Sequence, residues 1–111
     1  MKPPIIINEN GDLLFFETVQ DAERYVEAID VLNNEYVAYD SIGHLLELSV
    51  QLKKEYDVVA ISCIEQEPRH VYELQHILSD FFLQVEVNEE WIKKATLEDL
   101  VQKGIQEYKS V

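Results

Sequence analysis

The chain has few of the residues that build reactive or phosphate-binding loops. Its 111 residues include one cysteine, three glycines and three prolines. The single Cys63 cannot form an internal disulfide, and its apolar neighbours predict a small core residue rather than a catalytic thiol. The three glycines lie far apart, which excludes a glycine-rich phosphate-binding loop.

Long apolar runs are also missing. The longest are 5–7, 13–16 and 58–61, whereas a membrane-spanning helix needs about 20 apolar residues. Pro3 and Pro4 stand where a signal peptide would have its apolar helix. The hydrophobic content of 47% is that of a globular chain, and 111 residues suit one domain covering residues 1–111. Because a signal peptide is not expected and there is a single cysteine, we expect the protein to be cytoplasmic.

Positive charge is scarce. Nine basic residues face 22 acidic ones, which gives a net charge of −13. Between residues 3 and 52 there are ten acids and one base, whereas residues 93–111 hold four lysines and three acids. Such a field repels nucleic acid and anionic membranes, and it attracts basic proteins or metal cations. Acidity also serves solubility, so the charge alone does not decide between these roles.

Turn signals and hydrophobic periodicity predict an α+β fold in the order β-β-α-β-β-β-α-α. We expect a mainly antiparallel sheet with helices packed on one face. Asn10-Gly11 predicts a tight hairpin between strands 5–7 and 13–16. Thr18 caps a helix whose buried stripe holds Val19, Ala22, Val26 and Ile29.

The second half continues the same alternation. Strands are predicted at 36–40, 44–52 and 57–64, the last of them central because it is rich in β-branched residues. Pro68 suits the first turn of a helix, and residues 85–87 form either an edge strand or a connector. Thr96 caps a last helix, which Gly104 weakens.

No spacing in the chain identifies a reaction. His44, His70 and His76 form no His-x-x-x-His pair, and there is no Cys-x-x-Cys motif. Glu65 with Glu67 and Glu89 with Glu90 are expected to be solvated surface charges. We therefore expect no enzyme, no cofactor and no metal, although a small enzyme that uses scattered carboxylates stays an open alternative.

Three segments carry a family resemblance: PPIIINENGDL (3–13), DAERYVEAIDV (21–31) and EYVAYDSIGHLL (35–46). This block resembles small bacterial immunity proteins, which are encoded beside polymorphic toxins, including those of contact-dependent growth inhibition. The resemblance covers less than half of the chain and contains no diagnostic motif. It implies a cytoplasmic protein that binds and neutralises one cognate toxin domain. The acidic charge favours a nuclease domain, because such a domain carries a basic surface for the phosphate backbone.

The partner-binding residues predicted from the acidic half are Asp21, Glu27, Asp30, Glu35, Tyr39 and Asp40. These residues crowd near predicted turns, and tyrosine is enriched in protein interfaces. A structural or regulatory interaction module, including a homodimer, is the alternative function. The sequence leaves the oligomeric state open.

Overall fold

The computed structural model describes residues 1–85 and 87–110, and in this part of the chain it has five strands and five helices. The elements are β1 Ile5–Glu9, β2 Asp12–Phe16, α1 Val19–Tyr25, α2 Ala28–Leu32, β3 Tyr36–Tyr39, β4 Leu45–Leu52, β5 Asp57–Ser62, α3 Val71–Gln84, α4 Glu89–Lys94 and α5 Leu97–Glu107. The α+β class and the antiparallel sheet are confirmed. Glu86, in the predicted edge strand or connector at 85–87, lies outside the described residues.

The β1–β2 hairpin forms at the predicted turn. Asn10 and Gly11 take φ values of 53° and 98°, as a tight hairpin requires at both central positions. The Asn8 side chain accepts the Gly11 N–H at 2.8 Å. Local sequence chemistry therefore sets the register of the first two strands.

The strand order across the sheet is β2-β1-β3-β4-β5, and all neighbours are antiparallel. The prediction that the strand at 57–64 is central is wrong, because β5 forms an edge of the sheet. Its Val59 and Ile61 are buried under α1 and α2. The apolar run thus reflects a covering helix layer rather than a strand on either side. On the open side of β5, the Glu23 carboxylate of α1 accepts the Ile61 N–H at 2.8 Å.

Helices pack on both faces of the sheet, which corrects the one-face prediction. Ile6 lies in a core with α3, α4 and α5, whereas Ile5 and Ile7 lie in a second core with α1 and α2. All three isoleucines are fully buried. A strand that is apolar on both sides needs cover on both sides, so the unbroken run in β1 carried this information.

The predicted helix after Thr18 is two helices. Thr18 caps α1 as expected, accepting the Asp21 N–H at 3.1 Å. Val26 and Glu27 then adopt extended backbone angles, and α2 starts at Ala28. No Gly or Pro marks this break. Val26 stays in the core, but the change of direction leaves Ile29 63% exposed instead of buried.

Helices α3 and α5 begin near or at the positions predicted from the sequence. Helix α3 begins at Val71 rather than at Pro68. Helix α5 begins with the predicted Thr96 cap, and Thr96 and Asp99 form a reciprocal capping box. Gly104 of α5 lies against the ring of Phe15, so this helix and β2 approach closely.

The outer edge of β2 is occupied by residues near the C-terminus. Phe15 and Lys109 form a parallel bridge. The Ser110 N–H donates to the Phe15 carbonyl at 2.8 Å, and the Phe15 N–H donates to Ser110 Oγ at 3.3 Å. Among the described residues, no helix is both long and apolar enough to cross a membrane.

Candidate protein-binding surface

Three carboxylates converge where β1, α2 and β3 meet. Asp30 lies in α2, Glu35 precedes β3, and Glu9 ends β1 directly opposite Tyr36. The Glu35 N–H donates to the Asp30 carbonyl at 3.0 Å, which folds the two residues onto each other. Sequence reasoning selected Asp30 and Glu35 but missed Glu9, because only the β1–β3 pairing brings it here.

These carboxylates repel one another. A hydrogen bond with the Asp30 side chain, together with the Asp30 charge, raises the pKa of Glu35, and the charge of Glu9 adds to the effect. In the part of the chain that the structure describes, no Lys, Arg or His forms an ion pair with Glu9, Asp30 or Glu35. The cluster therefore carries charge that a cation from outside would stabilise.

Tyr36 lies beside this cluster. Its hydroxyl donates to Asp30 Oδ2 at 3.3 Å. Burial raises the pKa of Tyr36 to about 12, and the charges of Glu9 and Asp30 act in the same direction. The phenol consequently stays neutral at physiological pH and serves Asp30 as a hydrogen-bond donor.

Apolar surface adjoins these acids on α2. Ile29 and Leu32 are each 63% exposed, and α2 contains no fully buried residue. Exposed Glu27 is the N-cap of this helix, without a capping hydrogen bond from its side chain. An apolar surface rimmed by charge is typical of a protein interaction site. We call this surface the α2 patch, and its residues are Glu9, Glu27, Ile29, Asp30, Leu32 and Glu35.

Asp21 lies outside the patch. It is in the first turn of α1, with its carboxylate 4.0 Å from the guanidinium of Arg24. An exposed pair of this kind contributes little to stability. Of the six residues predicted to contact a partner, the structure brings three together in the α2 patch: Glu27, Asp30 and Glu35.

Tyr39 and Asp40 are not surface residues, and their prediction as partner contacts is wrong. Tyr39 is 1% exposed and Asp40 is 0% exposed. Tyr39 faces the layer of α3–α5, and its hydroxyl donates to Glu73 Oε1 at 2.6 Å. Burial raises the pKa of Tyr39 further above its usual range. Both residues lie near a turn, but the end of β3 is packed beneath α3.

Asp40 organises the turn between β3 and β4. Its Oδ2 accepts the Lys2 N–H at 2.9 Å and lies 2.7 Å from His44 Nδ1, while Oδ1 accepts the N–H groups of Ile42 and His44 at 3.2 and 2.9 Å. Burial by itself raises the pKa of Asp40, but the Lys2 and His44 donors outweigh it and lower that pKa. The buried carboxylate is fully satisfied, and its role here is structural.

The same turn is tied to the start of α3. Gly43 has a φ of 96°, and a side chain there would lie 2.7 to 2.9 Å from Val71. The Gly43 carbonyl accepts the His70 N–H at 2.9 Å. The His70 ring contacts Glu65, which also accepts the Leu45 N–H at 2.8 Å. His44 and His70 thus both pair with carboxylates that hold loops in place.

The remaining candidate groups show no convergent chemistry. Cys63 is half-buried at the margin of the second core, as expected for a small packing residue. Within residues 1–85 and 87–110, no three His, Cys, Asp or Glu residues are close enough to hold a metal ion. Comparisons with models of protein families, with curated proteins and with solved structures gave no match.

Proposed function

We propose that this protein is an immunity protein that binds and neutralises a basic toxin domain through the α2 patch. The observation that carries the proposal is the cluster of Glu9, Asp30 and Glu35, where mutual repulsion raises the pKa of Glu35 beside exposed Ile29 and Leu32. Lys or Arg side chains from a partner would relieve that repulsion, and apolar contacts would bury the two α2 side chains.

The chemistry of a nuclease suits this surface. A nuclease domain must carry Lys and Arg to hold a phosphate backbone, and a net charge of −13 speeds encounter with such a surface. The resemblance of residues 3–48 to immunity proteins points the same way. The proposed protein acts in the cytoplasm, without a cofactor and without catalysis of its own.

The test uses the purified domain encoded next to this gene, at the C-terminus of a large secreted toxin. Binding is measured by calorimetry, and neutralisation is measured as growth of cells that express both proteins. The variant Asp30→Lys/Glu35→Lys should bind at least about 30-fold more weakly. Reversing the charge of residues that become buried against a basic partner costs about 2 kcal/mol or more of binding free energy.

The matched control is Glu90→Lys/Glu98→Lys. It makes the same change in net charge on exposed residues of α4 and α5, whose helices pack on the other face of the sheet. This control should bind within about threefold of the wild type, since rim charges act mainly on the association rate. Equal weakening of both variants would refute the α2 patch as the contact surface. Absence of any binding by the wild type would refute the function.

The alternative, a homodimeric interaction module, has one observation in its favour, which is the edge position of β5. Two copies would each bring a charge of −13 to the contact, and this opposes pairing at low salt. Sedimentation equilibrium at micromolar concentration distinguishes the two functions. A dimer in low salt without a toxin domain would favour the module.

A further inference from the structure

The sheet divides between β3 and β4. Their pairing includes Ala38 with Leu46 and goes no further toward the start of β3. The next pairs in the same register would be Val37 with Glu47 and then Tyr36 with Leu48, but β4 continues with β5 alone as far as Leu52. Backbone groups alternate in direction along a strand. The N–H and C=O of Leu48, and then those of Val50, therefore point to a side of β4 on which, within residues 1–85 and 87–110, no strand pairs with them.

A cleft opens at this division. It has a volume of about 290 Å³, and its walls include Val31, Tyr36, Leu46 and Leu48. Of the residues that the structure describes, no Lys or Arg lines this cleft. Farther along the same strand, Leu52 is 78% exposed. Free strand edges with apolar side chains are templates for pairing with another chain.

The cleft adjoins the acidic cluster. Tyr36 forms one wall, and its hydroxyl donates to Asp30. Glu47 contributes another acidic residue to the lining. Because these charges repel a second copy of the chain and attract cations, an occupant of this edge is expected to be basic.

We propose that residues 48–52 of β4 pair with an extended basic segment of the partner, which adds as a strand at the division of the sheet. Lys or Arg at alternate positions of that segment would face the α2 patch, since alternate side chains of a strand share one face. That this segment belongs to a toxin domain rests on the proposed function. The pairing with β4 is tested without the toxin domain. The outer edge of β5 is less open, because Glu23 already satisfies the Ile61 N–H.

The experiment uses an octapeptide that alternates lysine and valine, with blocked ends, as the probe. The matched control is the same peptide with N-methyl groups on alternate amides, which keeps charge and side chains but removes backbone donors. Affinity is measured by fluorescence titration, and amide hydrogen exchange is followed by NMR on the whole chain. The plain peptide should slow exchange of the Leu48 and Val50 amides at least about tenfold. The methylated peptide should bind at least about tenfold more weakly.

Several results would overturn the proposal: no binding at millimolar peptide, equal binding of the methylated peptide, or protection at Val59 of β5 instead of Leu48 and Val50. Failure here is distinguishable from failure of the proposed function. If the peptide does not bind but the toxin domain is neutralised, the function stands and strand addition at β4 is wrong. If the peptide pairs with β4 but the toxin domain does not bind, the edge is real and the immunity function is wrong.

Discussion

Replacement of Gly104 by alanine should destabilise this protein, although the same change usually stabilises a helix. Gly104 lies within α5, where alanine is favoured over glycine by about 1 kcal/mol. In the folded chain, a Cβ at this position would lie 2.5 Å from Cδ1 and 2.7 Å from Cζ of Phe15. The nearest ring atom, Cε1, would be closer still. Ordinary carbon contacts are about 3.5–4.0 Å, so the ring would have to move by more than about 1 Å.

The Phe15 ring has little room to move. It is fully buried, and its centroid lies 5.8 Å from that of Phe81 and 6.5 Å from that of Phe82. Overpacking of a core costs about 1–3 kcal/mol and occasionally more. An approach this close places the cost in the upper part of that range, about 2–3 kcal/mol. After subtraction of about 1 kcal/mol for the gain in helix propensity, we expect Gly104→Ala to lower the free energy of unfolding by about 1–2 kcal/mol.

Urea denaturation monitored by circular dichroism measures this change. If the free energy of unfolding falls with urea concentration at the same slope in the wild type and the variant, the folded and unfolded states are equally compact in both proteins. Exposed Gln102 on the same helix supplies the control. There, the alanine variant should be more stable than the glycine variant by about 1 kcal/mol. At position 104 the order of alanine and glycine should be reversed.

A double-mutant cycle locates the cause. Phe15→Leu removes the ring, so Gly104→Ala in that background should be neutral or stabilising. The coupling between the two positions should then be about 1 kcal/mol or more. A stabilising effect of Gly104→Ala in the wild-type background would refute the close approach of α5 and β2.

Four further predictions concern charge and exposure. Asp40→Ala should lower the free energy of unfolding by about 3–5 kcal/mol in urea denaturation, because it leaves buried donors unpaired; a loss below about 1 kcal/mol would contradict its structural role. The pKa values of Asp40 and Glu65 are lowered in the folded state, so their stabilisation is present above the unfolded pKa of about 4 and is lost as pH falls below it; an unchanged melting temperature between pH 5 and pH 3 would contradict this. Glu35→Gln removes repulsion and should raise the melting temperature at pH 7, with the gain shrinking as the pH is lowered through the raised pKa of Glu35; a lower melting temperature at pH 7 would contradict it. Ile29→Ser and Leu32→Ser should each leave stability within about 0.5 kcal/mol of the wild type but weaken toxin binding at least about tenfold; normal binding would exclude α2 from the contact.

Features fixed by nearby residues could be predicted from the sequence. The Asn10-Gly11 hairpin and the caps at Thr18 and Thr96 depend on contacts within a few positions, and all three are confirmed. The position of β5 at the sheet edge depends on pairing between distant segments, which hydrophobicity alone does not encode. The break between α1 and α2 after Tyr25 also depends on contacts between distant segments. Val26 packs in the core with an extended backbone, although the hydrophobic spacing predicts that the helix continues.

The residues of the candidate site show the same difference between local and long-range contacts. Asp30 and Glu35 are five residues apart and were predicted together. Glu9 joins them only through the β1–β3 ladder, so no local pattern could have identified it. A turn near acidic residues predicts surface positions for Tyr39 and Asp40, but α3 covers this end of β3 and both side chains are buried.

The contact of Lys109 and Ser110 with Phe15 also limits the kinds of assembly that this sheet can form. Open-ended growth of a β-sheet needs a free edge on each side, so that each added molecule presents a new one. Because Phe15 of β2 is already paired with Lys109 and Ser110 of the same chain, a second molecule cannot add to β2 at this position. Growth of the sheet through β2 is therefore blocked there, and strand addition has to take place at β4 or β5.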